Sequence, residues 1–310
     1  MKLIIDTDMG IDDAVALLMI LAHPHAEIEA ITSVLGNVSL AQATHNIGVV
    51  LDLAQAPAIP IYRGCSRPLM QNKPLDATDV HAADGLGGAG RAQTHRIVED
   101  EHAGLALIRL AHEKPGQRIL LTLGPLTNIA LAIRLAPNFL HNFDRIVLMA
   151  GAVEGRGNTS PVAEFNVAVD PEAAHIVFDA CRDIADKVWL VSWETSLTHA
   201  TPFDRWRQLI AGDSATAKFV LAMTVYIEQA MARNHVTVIP WADPLAAAVA
   251  LAPDIVLNYE RRSVEVEVGQ NMARGQTITD YLSRRGTIAN MTIVKDIDQD
   301  KFEDLMRMIV

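Results

Sequence analysis

Short runs of apolar, often β-branched residues alternate along this chain with longer segments whose apolar residues recur at helical spacing. Such alternation is typical of a mainly parallel central sheet with helices on both faces. It predicts strands at Leu3–Ile5, Ile28–Val34, Ile59–Tyr62, Ile119–Leu123, Ile146–Met149 and Val188–Ser192. It predicts helices at Asp12–Ala22, Ser39–Ala54, Glu101–His112, Leu126–Leu135 and Pro171–Ala180. The expected fold class is therefore α/β.

The last third of the chain follows a different pattern. Two helical segments, Phe203–Ile210 and Ala215–Ala232, come before a Trp-Ala-Asp-Pro sequence and a further helix. Three segments have the composition of strands, and we expect them to close the sheet: Val264–Val268, Thr277–Tyr281 and Ile288–Val294. Neither a linker nor a repeat divides the 310 residues, so the sequence predicts one domain over 1–310.

Charge and hydropathy narrow the classes of partner. The formal net charge is −11, and Lys and Arg form no run, so a nucleic-acid backbone would be repelled. Asp6 interrupts the apolar run at the N-terminus, which is too short for a signal peptide, and no later apolar stretch could span a bilayer. We expect a small-molecule ligand, no nucleic-acid or membrane partner, and a cytoplasmic location.

Four aspartates lie within eight residues, directly after the first predicted strand: Asp6, Asp8, Asp12 and Asp13. Ligands of open parallel sheets bind beyond the carboxyl ends of the strands, where these side chains are expected. An affinity for the positive end of the following helix accounts for one or two carboxylates at most. Four of them on one loop repel one another unless a cation neutralises them, and oxygen-only ligands indicate calcium or magnesium rather than zinc.

Several further motifs follow this acidic loop along the chain. They are Val34–Asn37, Gly124–Ala130, Leu148–Gly151, Ala163–Asn166, Asp170–Ala174 and Ala242–Pro244. Together with the D-x-D-x-G-x-D-D pattern of Asp6 to Asp13, and in this order, they resemble the inosine–uridine nucleoside hydrolase family. The resemblance extends from Asp6 to beyond Asp243. It implies a ribonucleoside hydrolase with the Rossmann-like nucleoside hydrolase fold, assembled as a homodimer or homotetramer.

The resemblance also implies a calcium site. Its side-chain ligands would be Asp8, Asp13 and Asp243, and the backbone carbonyl of Leu123 would add another. Ribose hydroxyls and one water would complete the ligand shell, and Asp8 would also take a proton from this water. Such a cation makes the water more acidic and holds it in line for attack.

The resemblance further implies a set of residues around the sugar. Those expected to bind ribose hydroxyls are Asp12, Asn158, Glu164 and Asn166, while Met149 would pack near the sugar and Asn37 would help to place the water. The chemistry needs such residue types, because breaking a ribosyl C–N bond develops positive oxocarbenium character that carboxylates stabilise.

One position departs from the family. Its best-described members carry His-Asp-Pro at the late motif, and that histidine protonates the departing base, whereas this chain has Ala242. His81, in a segment that matches the family's substrate-covering loop, could take over this role, or His235 could. Alternatively, Trp193 and Trp241 could stack on both faces of the base, as in the purine-specific branch of the family, which slightly favours purine nucleosides. Such stacking contributes about 1–3 kcal/mol per base.

Two other functions stay open at this level. A D-x-D after a first strand also occurs in haloacid-dehalogenase phosphatases, with Asp6 or Asp8 as nucleophile, but their loop continues D-G-T or D-G-V and this one continues Met-Gly-Ile. The missing late histidine is compatible with a non-catalytic protein that binds nucleosides or ribose.

Overall fold

The computed structural model of the protein describes residues 1–71, 75–89, 93–283 and 286–310. Its strands are β1 Lys2–Thr7, β2 Glu27–Ser33, β3 Ile61–Arg63, β4 Val98–Glu99, β5 Arg118–Thr122, β6 Arg145–Met149, β7 Val188–Val191, β8 Thr201–Pro202, β9 Val238–Ile239, β10 Val256–Arg262, β11 Val264–Val266, β12 Thr277–Thr279 and β13 Met291–Ile297. Its α-helices are α1 Ile11–Ala22, α2 Leu40–Leu53, α3 Thr78–His81, α4 Ala103–Glu113, α5 Thr127–Leu135, α6 Phe165–Val169, α7 Pro171–Ala180, α8 Trp193–Thr198, α9 Phe203–Leu209, α10 Ala215–Arg233, α11 Ala242–Leu251 and α12 Gln299–Arg307.

The described residues form a main sheet of nine strands in the order β10-β13-β7-β6-β5-β1-β2-β3-β4. Neighbouring strands are parallel except at the β10–β13 edge. Alternate residues of β1 pack on opposite faces: Leu3 and Ile5 contact the cluster that includes α1, α2 and α11, and Ile4 contacts the cluster that includes α4, α5 and α7. The α/β fold with helices on both faces of the sheet is confirmed.

The prediction for the last third was wrong at the edge of the sheet. Strand β13 joins the main sheet beside β7, but β11 and β12 pair only with each other in a separate two-stranded sheet. The edge is formed instead by β10, which pairs antiparallel with β13. Most of β10 is at least partly exposed and its sequence contains Asn, Glu and two Arg, so it lacks the apolar run by which buried strands are recognised.

The strands of the middle of the sheet end side by side. Thr7 of β1 is in register with Ser33 of β2, and Thr122 of β5 is in register with Asp6 of β1 and Leu148 of β6. The segments that follow these strands therefore meet at one edge of the sheet. Helices α1 and α11, which are almost entirely buried, pack against each other beneath it.

No helix in the described part of the chain combines the length and apolar composition that crossing a membrane requires.

Candidate active site

Carboxylates from the two ends of the chain converge at this edge of the sheet. Oxygens of Asp12, Asp13 and Asp243 all lie within 4.8 Å of one another. Asp12 and Asp13 are in the first turn of α1, and Asp243 is in the first turn of α11. The positive ends of two helix dipoles thus face the same acidic cluster, which lowers the cost of placing these charges together.

Asp8 is joined to this cluster by the loop that follows β2. The Asn37 side-chain amide donates to Asp8 Oδ1 over 3.2 Å and to Asp13 Oδ2 over 3.1 Å, and the Asn37 backbone N–H donates to Asp8 Oδ2 over 2.7 Å. A Cβ atom on Gly36 would lie 1.9 Å from Asp8 Oδ2, so only glycine allows the loop to approach this closely. Asp8 and Asp13 are completely buried.

No Lys or Arg of the described residues neutralises the acidic cluster. Within the described ranges, no Lys or Arg forms an ion pair with Asp8, Asp12, Asp13 or Asp243. The one basic side chain within 4 Å of these carboxylates, among the residues described, is His81, whose Nδ1 lies 3.8 Å from Asp12 Oδ1. Burial first, and the neighbouring carboxylates second, raise the pKa of Asp8 and of Asp243 well above the ordinary value. Burial raises the pKa of Asp12 to about 6.

These side chains fit a divalent cation. All of the donor atoms are oxygens, the preferred ligands of hard cations such as calcium and magnesium. Asp12 Oδ1 is shielded from solvent and has no hydrogen-bond partner, which leaves a lone acceptor directed at a group that the fold itself does not supply.

A cavity of about 480 Å³ opens above the cluster. The predicted site residues that line it are Asp12, Asn37, His81, Leu123, Met149, Asn158, Glu164, Asn166, Trp193 and Asp243. Asp8 and Asp13 lie behind this lining. The structure therefore brings together, at one concave surface, residues that are distributed along the sequence from Asp12 to Asp243.

Amide and carboxylate groups on one side of the cavity are held by the backbone. Glu164 caps α6 and accepts from the backbone N–H groups of Gly151, Asn166 and Val167, and burial raises its pKa to about 7. The Asn166 side-chain amide donates to the carbonyl of Leu123 over 2.8 Å and to that of Met149 over 3.1 Å. The Leu123 carbonyl thus lies at the cavity beside the acidic cluster.

His81 approaches the cavity from α3 on the opposite side. Its Nδ1 accepts from the backbone N–H of Ile11 over 3.0 Å, so the proton of the neutral ring is on Nε2. Burial lowers the pKa of His81 to about 4. The imidazole is therefore a neutral hydrogen-bond donor at pH 7, since the buried site disfavours the imidazolium.

Two predicted residues do not reach the cavity. Trp241 is 1% exposed and packs in the core against Trp206, with ring centroids 4.3 Å apart, so the predicted sandwich of a base between Trp193 and Trp241 was wrong. His235 is exposed, in a left-handed turn after α10 with φ 59°, and does not line the cavity. Asn234, its neighbour, does.

Sequence reasoning missed several contributors to the site, among them Met231, Asn234 and Glu194. Met231 and Asn234, from the end of α10, line the cavity, but helical periodicity does not show which residues of a terminal turn face a site. Glu194, in the first turn of α8, accepts from three backbone N–H groups of the loop after β6. Such partners leave no pattern in the side-chain sequence.

Comparison with known proteins assigns the family. The family model described as inosine-uridine preferring nucleoside hydrolase matches residues 3–304. The chain is 35% identical over 307 residues to an inosine-uridine preferring nucleoside hydrolase of Leishmania major, with 97% of this chain and 94% of that protein covered. It is 33% identical over 307 residues to a pyrimidine-specific ribonucleoside hydrolase of Salmonella paratyphi A, with 99% and 97% covered.

A solved structure extends the likeness to three dimensions. The purine-preferring ribonucleoside hydrolase from Gardnerella vaginalis superimposes with a TM-score of 0.88 at 29% identity, covering 100% of this chain and 98% of that one. The similarity thus extends over nearly the full length of each of these proteins. The chain belongs to the inosine-uridine preferring nucleoside hydrolase family, whose members hydrolyse N-glycosidic bonds.

Proposed function

We propose that this protein hydrolyses the N-glycosidic bond of ribonucleosides to ribose and a free base, in a calcium-dependent reaction. The observation that carries the proposal is the meeting of Asp12, Asp13 and Asp243 at the floor of a cavity whose volume, about 480 Å³, is typical of small-molecule sites. The other lining residues supply hydrogen-bonding groups for a sugar and apolar surface for a base.

Calcium would be held by Asp8, Asp13, Asp243 and the carbonyl of Leu123. Calcium takes six to eight oxygen ligands, more than these residues supply as single donors, so positions remain for ribose hydroxyls and a water. When bound, the ion neutralises the carboxylates and increases the acidity of the attacking water. We propose calcium rather than magnesium because calcium accepts a larger and more variable number of ligands than magnesium does.

The chain's own side chains would do the rest of the chemistry. Asp8, which is held in place by two hydrogen bonds from Asn37, accepts the proton of the attacking water. The unpartnered Asp12 Oδ1 binds a ribose hydroxyl. Other hydroxyls are bound by Asn158, Glu164 and Asn166, and Met149 packs beside the sugar. The carboxylates beside the sugar also stabilise the positive charge that the ribosyl ring develops.

His81 and Trp193 both line the cavity, and we propose that they contact the departing base. Ala242 offers no proton donor there, so we assign this role to the Nε2–H of His81, which can donate a hydrogen bond to a base nitrogen as negative charge develops. We also propose a modest preference for purine nucleosides, because a two-ring base would cover more of Trp193. The named relatives differ in base preference, so only a substrate comparison tests this part.

Ribose release from inosine, adenosine, cytidine and uridine in the presence of calcium tests the proposed function. We expect release from at least one of the four and a higher kcat/KM for the purine nucleosides.

A specific observation, Ala242 at the family's histidine position, favours the second candidate, a non-catalytic ribose or nucleoside sensor. Tight ribose binding without release from any of the four would support the sensor. The nucleoside hydrolase family match over residues 3–304 argues against the phosphatase alternative.

His81→Ala is expected to lower kcat for inosine about 100-fold, because the base would depart without a hydrogen-bond donor. His235→Ala is the matched control, and we expect it to leave kcat within about twofold since its side chain is exposed and outside the cavity. Steady-state assays of reducing sugar measure both. An equal loss in the two variants would contradict the assignment.

Gly36→Ala is expected to weaken calcium binding by about tenfold or more, because the added Cβ would displace the Asp8 carboxylate that it would otherwise overlap. Gly212→Ala is the control, since its Cβ would meet its nearest neighbour at an ordinary 3.4 Å. Isothermal titration calorimetry gives both dissociation constants. Unchanged affinity in Gly36→Ala would remove Asp8 from the ligand set.

Other properties implied by the family belong to the same proposal. We propose that residues 1–310 form one domain, that the protein assembles as a homodimer or homotetramer, and that it acts in the cytoplasm on free nucleosides without a nucleic-acid or membrane partner. Light scattering coupled to size-exclusion chromatography tests the assembly, and a monomer at micromolar concentration would count against it.

A further inference from the structure

One wall of the cavity is an irregular loop between β6 and α6. Gly157, Asn158 and Thr159 of this loop line the cavity. Gly151 and Gly155 have φ of 76° and 77°, values that favour glycine, and they turn the chain away from the sheet. The loop contains no helix or strand, and some of its backbone N–H groups pair within the loop, as that of Gly155 does with the carbonyl of Ala152. The remaining buried donors need partners from elsewhere in the protein.

Glu194 accepts from three of these remaining N–H groups, which belong to the turn at 153–156. Its Oε2 accepts from the backbone N–H of Val153 over 3.0 Å, and its Oε1 accepts from those of Glu154 and Arg156 over 2.9 and 3.1 Å. The side chain is 4% exposed. Closely spaced backbone N–H groups that converge on one carboxylate form strong, charge-assisted hydrogen bonds and fix the turn that carries them.

A second buried carboxylate holds the start of the same loop. Glu164 Oε2 accepts from the backbone N–H of Gly151 over 2.7 Å. Beyond the turn, Asn158 Oδ1 accepts from the backbone N–H of Phe165 over 2.8 Å, which sets the direction of this side chain. Contacts at both ends thus hold the loop up to Asn158. In the stretch between them Glu194 binds three N–H groups, beside the bonds from Ala152 N–H to Thr277 Oγ1 and from Gly155 N–H to the Ala152 carbonyl.

Glu194 also adjoins a residue that lines the cavity. Trp193, the preceding residue, lines the cavity, and its backbone N–H donates to the carbonyl of Gly151 over 2.9 Å. The first turn of α8 thus contacts the loop through both residues. Glu194 itself does not line the cavity, so any effect on substrate must pass through the loop or through Trp193.

We infer that Glu194 is a positioning residue: by holding the turn at 153–156 it sets where Asn158 and Trp193 meet the ribose and the base. This inference rests on the proposed function, since it assigns a role within the nucleoside site. It predicts a defect in substrate binding that is separate from calcium binding, because the acidic cluster is held by other loops.

Glu194→Gln tests the inference. The amide keeps the shape of the side chain but turns one acceptor oxygen into a donor that faces a backbone N–H group. We expect KM for inosine to rise about tenfold with kcat nearly unchanged, as for a lost contact made equally in the ground state and the transition state. The calcium dissociation constant should stay within about twofold of the wild-type value. Glu194→Asp keeps the carboxylate and should recover part of the loss in KM.

Glu154→Gln is the matched control. The Glu154 side chain is exposed and pairs with Lys295, while its backbone N–H would still donate to Glu194. KM for inosine should stay within about twofold in this variant. The ribose dissociation constant, from calorimetry, gives a second readout that does not require turnover and should also rise about tenfold in Glu194→Gln.

The outcomes separate the two levels of the proposal. A wild-type protein that binds ribose but releases none from any nucleoside would overturn the proposed function, and the ribose affinity of Glu194→Gln would still decide the role of Glu194. Wild-type KM and ribose affinity in a folded Glu194→Gln protein would overturn the inference. Parallel losses of kcat and calcium affinity would overturn it as well, since they indicate a general structural role.

Discussion

Asp8→Ala is expected to lower kcat for ribose release from inosine about 1,000-fold, because the variant loses both the proposed base and a ligand of the ion. Asp8 is completely buried and is held by two hydrogen bonds from Asn37, so its carboxylate has a fixed position in the site. Reducing-sugar assays at saturating inosine and calcium give the rate. Far-UV circular dichroism checks that the fold is retained.

Asp213→Ala is the control for this measurement. Asp213 lies before α10 with a fully exposed side chain, far in the sequence from the acidic loop. We expect its kcat to stay within about twofold of wild type. Near-normal turnover in Asp8→Ala would refute the role of Asp8 and leave Asp12 or Asp243 as the base to be tested next.

Calcium is expected to raise the melting temperature by about 5 °C at concentrations far above its dissociation constant, and to do so more strongly at pH 8 than at pH 5. The carboxylates that would bind the ion repel one another when it is absent. Differential scanning fluorimetry with calcium or with excess EGTA measures the shift at each pH. Asp243→Asn is the control, and its melting temperature should respond far less to calcium.

The direction of this pH dependence follows from the raised pKa values. Burial raises the pKa of the proposed ligands Asp8, Asp13 and Asp243 above the ordinary value of 3.8 that each would have in the unfolded chain. It also raises the pKa of two neighbouring carboxyl groups, that of Asp12 to about 6 and that of Asp6 to about 7. Between about pH 4 and pH 7 the folded, metal-free protein therefore binds more protons than the unfolded chain, and these groups make it less stable as the pH rises. Calcium binds the ionised carboxylates, so its stabilising effect grows over the same range. A larger calcium shift at pH 5 would contradict the proposed ligand set.

The middle of the sheet could be predicted because its strands are buried on both faces and read as continuous apolar runs, as β5 and β6 do. Its edge could not. An exposed edge strand such as β10 needs no apolar run. Whether β11 and β12 join the main sheet or pair with each other depends on the path of the chain after α11, which the composition of the two strands does not show.

The site shows a similar division. The residues after each strand could be placed at one edge from the topology alone, but Asp243 joins Asp13 only through the packing of α11 on α1, and before the structure was known only the family motif indicated it. The direction of a single side chain at a helix start was not predictable, as Trp193 and Trp241 show: one lines the cavity and the other fills the core.

The placement of the carboxylates on the first turns of two buried, mutually packed helices restricts how this sequence can change. A helix rotates by about 100° per residue, so inserting one residue within α1 would turn Asp12 and Asp13 away from Asp243 or force the apolar face of the helix out of the core. Met231 and Asn234, at the end of α10, line the cavity without holding the carboxylates, so exchanges at these positions can fit other bases. The number of residues between the acidic loop and the packed part of α1 cannot change in this way, because insertions or deletions there would separate the carboxylates from one another.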